Sequence, residues 1–180
     1  LRMGGGWEAE GAMARWLAAR GWPLERLDID VSDAGTIAAL VTAPNLALQS
    51  LEVFRADAAA LCAMADAPWP LDSLELAFDE APSAAAFRAL ARAAWPELTS
   101  FSARVEDFRP DPGEDWGDEG EALDGAAFAL CPKLEYLELH SLPVGAAGAR
   151  ALASRLCARL QSLCLLDAQL DDEAAAAMDG

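Results

Sequence analysis

A six-residue pattern recurs along this chain, with apolar residues at its first, fourth and sixth positions. Its six copies read LERLDI, LQSLEV, LDSLEL, LTSFSA, LEYLEL and LQSLCL, and they begin at residues 24, 48, 71, 98, 134 and 160. Four of the five intervals between successive starts lie between 23 and 27 residues, and the fourth interval is 36 residues. Because a near-constant period of this size is the mark of repeat architectures, we expect one short structural unit to recur along the chain.

The second half of each copy alternates apolar and polar residues, as in Leu27-Asp28-Ile29. This alternation predicts a short strand with one buried face. The stretches between copies are rich in Ala at helical spacing, and in one of them Ser83 is a predicted N-cap ahead of Phe87 and Leu90. Proline precedes five of the six copies and marks the turn from helix to strand. Strands that alternate with helices predict an α/β fold with a parallel sheet.

This combination resembles the leucine-rich repeat family, and within it the ribonuclease-inhibitor-like branch. The resemblance rests on the six leucine sets and on helical segments such as residues 145–152. It implies a horseshoe-shaped solenoid with parallel strands on the concave face and helices on the convex face. Residues 24–180 would form six repeats, and residues 1–23 would be the helical end of a preceding repeat. The Asn that the family usually carries after the strand is replaced by Ser32, Ala56, Asp79, Glu106, Leu142 and Ala168.

The charge of the chain restricts the partners that it can bind. The formal net charge is −17. A nucleic-acid-binding protein needs a basic surface that replaces phosphate counterions, and an anionic membrane attracts basic segments. The sequence therefore predicts neither a nucleic-acid partner nor a membrane partner. It favours a protein partner, and a basic one in particular.

The cysteines and the hydropathy pattern predict a cytoplasmic protein. No apolar run approaches the roughly 18 residues that a membrane-spanning helix needs, and the start of the chain lacks the layout of a signal peptide. The four cysteines form no C-x-x-C pair and do not have the spacing of a zinc site; they are Cys62, Cys131, Cys157 and Cys164. They are predicted to be buried free thiols in a reducing compartment.

The residues between the leucines are the candidates for function. The middle column of the predicted strands holds Asp28, Glu52, Glu75, Ser102, Glu138 and Cys164. A mostly acidic column on a concave sheet suits docking of Lys or Arg side chains, although the same charges could simply keep an exposed sheet solvated. Tyr136 would be an interface anchor on the same face, whereas His140 could equally be an ordinary surface residue. The predicted partner-binding residues are Asp28, Glu52, Glu75, Tyr136, Glu138, His140 and Trp116.

The long interval contains a strongly acidic segment at about residues 106–124, with nine acidic residues and one Arg. Its prolines and glycines predict a loop insertion. Alignment with the calcium-binding loop of EF-hands fails in both possible registers, because Trp116 replaces the Gly in one and Ala126 replaces the last Glu in the other. No metal site is predicted, and Trp116 is either packed on the body of the protein or available to a partner.

No catalytic motif is present, so the sequence predicts a protein that is not an enzyme. The chain lacks nucleotide-binding glycine motifs and the H-E-x-x-H zinc motif. Its single histidine, His140, would have to serve any nucleophilic scheme. No cofactor and no small-molecule substrate are predicted, and the leading hypothesis is a protein–protein interaction scaffold. The alternatives are the substrate-recognition arm of an F-box-type ubiquitin ligase and a regulator of a small GTPase.

Overall fold

The structure is a computed structural model in which helices alternate with strands along much of the described chain. It describes residues 2–3, 12, 16, 19–20, 24–30, 34–43, 46–90, 95–106, 132–142, 144–153, 159–168, 170 and 172–178. The acidic segment predicted to be a loop lies outside the described residues, apart from Glu106. Trp116, Cys131 and Cys157 lie outside them as well.

The described strands form one open sheet, and they follow one another in it in chain order. Every neighbouring pair is parallel. The strands are β1 (Arg2–Met3), β2 (Arg26–Asp30), β3 (Ser50–Phe54), β4 (Ser73–Phe78), β5 (Ser100–Val105), β6 (Tyr136–His140) and β7 (Ser162–Leu166). The α/β class and the parallel sheet predicted from the sequence are confirmed.

Helices connect most of these strands and pack beside one another. They are α1 (Ala34–Val41), α2 (Ala58–Ala65), α3 (Ala84–Leu90), α4 (Ala146–Ala151) and α5 (Asp172–Met178). Helix α2 contacts both α1 and α3, and α4 contacts α5. Asp57 caps α2 by accepting a hydrogen bond from the Ala60 amide at 2.6 Å, and Ser83 accepts one from the Ala86 amide at 3.3 Å ahead of α3, as the sequence predicts. Among the described residues, no helix is long and apolar enough to cross a bilayer.

The core lies between the sheet and this layer of helices. Because side chains alternate along a strand, one set of strand residues points towards the helices. Leu51 and Val53 of β3 are buried there with Leu61 and Met64 of α2. The inward residues of β7 are Leu163 and Leu165, and they are only partly buried. The support behind the sheet is therefore tighter at β3 than at β7.

The strands pair with equivalent residues of the leucine sets side by side. The aligned residues at the second apolar position are Leu27, Leu51, Leu74, Phe101, Leu137 and Leu163. The longest interval does not interrupt this alignment, because Ser100 of β5 pairs with Tyr136 of β6. Each outward residue consequently has the equivalent outward residues of the adjacent strands as neighbours.

Two residues after the end of each leucine set, the described residues adopt one of two conformations. Arg55, Ser141 and Asp167 end their strands in the left-handed region, with φ of 55°, 55° and 52°. At the equivalent positions of β4 and β5, Phe78 and Val105 continue the strand and pair with each other. Both side chains are buried, and β4 and β5 are each one residue longer than β3, β6 and β7.

Candidate functional site

The sheet surface turned away from the helices carries the predicted binding residues other than Trp116, and we call it the outward face. One row of side chains crosses it from β2 to β7. In register, this row consists of Asp28, Glu52, Glu75, Ser102, Glu138 and Cys164. None of the six is buried. The structure thus brings together the middle column that the sequence predicts.

Three carboxylates lie next to one another at one end of this row. Asp28, Glu52 and Glu75, which we call the acidic row, occupy consecutive parallel strands. Such strands are about 4.8 Å apart. Partial burial raises the pKa of Glu52, and the negative charges of Glu75 and Asp28 raise it further. Glu52 is the member of the acidic row that is flanked by a carboxylate on both sides.

Arginines partly neutralise the acidic row at its two ends. Arg26 places its Nε atom 3.4 Å from the Asp28 carboxylate. At the other end, Arg104 forms an ion pair with Glu75 and a second, at 3.5 Å, with Glu106. Burial opposes ionisation of the Arg104 guanidinium, but its hydrogen bonds and ion pairs with Glu75 and Glu106 outweigh burial and raise its pKa. The strongest uncompensated negative charge is therefore expected at the centre of the row.

Arg104 also extends across β4 towards β3. Its guanidinium carbon lies 5.6 Å from the centre of the Phe54 ring, a distance typical of a cation–π contact. Ala77 of β4 pairs with Arg104, and its side chain is only 1% exposed. Strand alternation predicts an outward direction for Ala77, so its burial is an exception to the pattern of this face.

Tyr136 is the most prominent aromatic residue of the outward face. It is 47% exposed, as expected of an interface anchor. Its hydroxyl donates a hydrogen bond to the Gln161 Oε1 atom at 3.2 Å, and Gln161 in turn donates one to Glu135 at 2.9 Å. A shallow cavity of about 310 Å³ lies beside the tyrosine. Its polar lining is formed by Ser100, Ser102, Tyr136, Glu138, Ser162 and Cys164.

Glu138, His140 and Cys164 converge near this cavity, and we call them the donor cluster. The His140 Nε2 atom is 2.8 Å from the Glu138 Oε1 atom and 3.8 Å from the Cys164 sulfur. One ligand atom from each residue lies within 4.8 Å of the other two. The sequence predicts that Glu138 and His140 share a face with Cys164. It does not predict the contact between His140 and Cys164, which lie diagonally across two strands.

The geometry of the donor cluster differs from that of a catalytic triad. In a Cys–His–carboxylate triad, the nucleophile and the carboxylate contact opposite nitrogens of the imidazole ring. Here both Glu138 and Cys164 approach the same nitrogen, Nε2. Because one ligand atom of each side chain lies within 4.8 Å of the other two, the three together could hold a single metal ion.

The expectation that the cysteines are buried is wrong for the two that the structure describes. Cys62 and Cys164 are free thiols, as predicted, but both are exposed. In α2 the buried positions are Ala60, Leu61 and Met64, so Cys62 falls on the opposite side of the helix. Cys164 occupies an outward position of β7, where alternation directs it away from the core.

Comparison with known proteins adds no family assignment. No model of a known protein family matches the chain, and no curated protein was found as a relative.

Proposed function

We propose that this chain is a non-catalytic protein-binding scaffold of the leucine-rich repeat type, which binds a basic protein partner on its outward face. The in-register leucine sets support the solenoid, because each strand–helix unit is too small to bury a core without its neighbours. The exposed free thiols of Cys62 and Cys164 favour a reducing compartment such as the cytoplasm.

The acidic row is the observation that carries the binding proposal. Like charges on adjacent strands destabilise each other, and the raised pKa of Glu52 reflects this repulsion as well as its burial. A Lys or Arg side chain placed over Glu52 would relieve the repulsion and gain a charge-assisted hydrogen bond. A basic partner is favoured over a neutral one for this reason.

Tyr136 and two arginines restrict where a partner can place its charged and apolar groups. Tyr136 offers an exposed aromatic surface three strands away from Glu52, at roughly 4.8 Å per strand. Arg26 and Arg104 flank the acidic row and would repel a partner whose cations lie too far to either side. The partner is therefore expected to place its cations over Glu52 and its apolar contact near β6.

Neutralising the acidic row tests the proposal. One variant carries Asp28→Asn, Glu52→Gln and Glu75→Gln. A matched control carries Asp66→Asn, Asp79→Asn and Glu80→Gln, which are exposed carboxylates outside the outward face and give the same change in net charge. Proteins captured by the parent and by both variants are quantified by mass spectrometry, and circular dichroism checks that all three chains are folded.

The two variants separate a specific interface from general electrostatic attraction. We expect a basic partner that the parent and the control capture equally, and that the variant of the acidic row captures at least about tenfold less, a change of about 1.4 kcal/mol. Titration of that partner in purified form should reproduce the ranking. If both variants lose the same proteins equally, or if neither loses any, the outward face is a solvated surface and the proposal is wrong.

A further inference from the structure

We propose that Glu138, His140 and Cys164 form a binding site for a divalent transition-metal ion, with Zn²⁺ as the ion that fits best. The donor cluster offers a carboxylate oxygen, an imidazole nitrogen and a sulfur, which are the three kinds of atom that bind zinc in proteins. The site does not depend on a protein partner, although Glu138 and His140 also belong to the proposed interface.

The distances within the donor cluster are close to those of a zinc site. Zinc lies about 2.0–2.3 Å from its nitrogen, oxygen and sulfur ligands, which places the ligand atoms of a tetrahedral site about 3.3–3.8 Å apart. The observed separations from His140 Nε2 are 2.8 Å to Glu138 Oε1 and 3.8 Å to Cys164 Sγ. The three atoms lie within 4.8 Å of one another, so small side-chain rotations would bring them to these distances.

Two strands fix the backbone positions of these ligands. Glu138 and His140 lie two residues apart on β6 and therefore point to the same side of the sheet. Cys164 pairs directly with Glu138 from β7. This parallel pairing keeps the third ligand next to the other two without any contribution from a flexible segment.

The combination of ligands selects against the common hard cations. Ca²⁺ and Mg²⁺ bind sets of oxygen atoms, and a thiol and an imidazole are poor ligands for them. Imidazole and thiolate together suit zinc and its neighbours in the first transition series. This distinguishes the donor cluster from the acidic row, whose members are all carboxylates.

The charges balance when the ion binds. The Cys164 thiol releases its proton to the solvent and binds as a thiolate, and neutral His140 binds through Nε2 with its proton on Nδ1. The thiolate and the Glu138 carboxylate then compensate the two positive charges of the ion. Arg104 pairs with His140 in the sheet, but its guanidinium is engaged with Glu75 and Glu106.

Three protein ligands leave one tetrahedral position of zinc unfilled. The cavity of about 310 Å³ beside Glu138 and Cys164 gives solvent access to this position. A water molecule would complete the coordination, as it does in zinc sites with three protein ligands. The site would therefore remain open to a further ligand.

Protection of a thiol tests the site without any mutation. The full chain is reduced with a phosphine, freed of metal with a chelator and treated with iodoacetamide in the presence and absence of Zn²⁺. Alkylation of Cys164 and Cys62 is followed by peptide mass spectrometry. We expect Zn²⁺ to slow alkylation of Cys164 at least about tenfold, because a metal-bound thiolate is a poorer nucleophile. Cys62, an exposed free thiol without the other ligands, is the internal control.

Cobalt gives a second measurement, which only a thiolate ligand can satisfy. Co²⁺ binding at Cys164 should produce a thiolate-to-metal charge-transfer absorption that saturates at one ion per chain and disappears when Zn²⁺ is added. Cys164→Ala and His140→Ala should abolish or weaken this absorption, whereas Cys62→Ala and Glu52→Gln should preserve it. Equal alkylation of Cys164 with and without Zn²⁺, or an absorption that persists in Cys164→Ala, overturns the proposal. If Co²⁺ binds but no such absorption appears, the ion is bound by carboxylates elsewhere, and this result also overturns the proposal.

Discussion

The acidic row and two residues of the donor cluster, Glu138 and Cys164, occupy equivalent positions of the same sheet and nevertheless have different chemistry. In the acidic row, each carboxylate meets another carboxylate on the next strand, and the pKa of Glu52 is raised by burial and by these neighbours. In the donor cluster, Glu138 meets an imidazole and a thiol that converge with it. The parallel register decides which residues are neighbours, and the side chains in the row decide whether the neighbours repel or combine.

The two regions also differ in the packing behind them. Glu52 lies on β3, whose inward Leu51 and Val53 are fully buried. Cys164 lies on β7, whose inward Leu163 and Leu165 are only partly buried. Glu138 and His140 lie on β6, whose inward Leu137 and Leu139 are fully buried as well. We infer that β7, which carries Cys164, is less firmly supported than β3.

Truncation of equivalent leucines should show the largest difference, here between β3, which carries Glu52, and β7, which carries Cys164. Leu51→Ala should lower the free energy of unfolding by about 2–5 kcal/mol, because it leaves a cavity in a fully packed core. Leu163→Ala should cost about half as much, since less buried surface is lost. Urea unfolding followed by circular dichroism measures both values. Equal losses would show that β7 is as tightly supported as β3.

Removal of Arg104 should have an intermediate effect that is confined to the acidic row. Arg104→Gln is expected to destabilise the protein by up to about 1 kcal/mol, the range of partly exposed ion pairs. A double-mutant cycle with Glu75→Gln isolates the coupling between the two residues. The same cycle with Glu138→Gln is the control, and it should show no coupling. If the coupling energy of Arg104 with Glu138 were as large as that with Glu75, the acidic row and the donor cluster would belong to one network.

Neutralisation of Glu52 should have the smallest effect and a distinct pH dependence. Because the pKa of Glu52 is raised in the folded state from its ordinary value of 4.5, ionisation of this group opposes folding. The penalty is absent below the ordinary pKa, grows as pH rises towards the raised pKa and is complete above it. Glu52→Gln should therefore stabilise the protein near pH 7, by up to about 0.5 kcal/mol, and should have little effect below pH ~4.

The effect of Glu52→Gln can also be measured in a chain that already carries Glu75→Gln. In that chain, one of the two carboxylates beside Glu52 is gone, so the gain from Glu52→Gln should shrink. Unfolding midpoints measured across the pH range would show it. A gain that is independent of pH, or that increases as pH falls, would show that repulsion and burial do not act on Glu52.

The sequence alone predicts the strands and their register well, for a local reason. Alternation in segments such as Leu27-Asp28-Ile29 and the recurrence of the leucine sets depend only on residues close together in the chain. Once parallel strands pair at equivalent positions, the neighbours of Glu52 and of Glu138 follow directly. The composition of the outward row was therefore predictable.

Contacts that depend on side-chain direction were not predictable in the same way. Arg104 forms an ion pair with Glu75 and contacts Phe54 two strands away. The contact of His140 with Cys164 depends on how an imidazole turns on its strand. The direction in which such a side chain points is set by the side chains around it, so the spacing of residues in the sequence does not predict it.

The strand ends show the same limit. Phe78 and Val105 stand at positions equivalent to Arg55 and Ser141, where those strands end with a positive φ. Burial of their large apolar side chains instead keeps them in the sheet. A polar residue at this position, which can adopt a positive φ at modest cost, ends the strand.

The pairing of β5 with β6 bears on how this chain could change in length. Val105 ends one strand and Tyr136 begins the next, yet the two strands pair as closely in register as strands joined by far shorter connections. Residues could therefore be added to or removed from this interval in evolution, or a foreign domain could be inserted there by design, while the sheet on either side keeps its alignment.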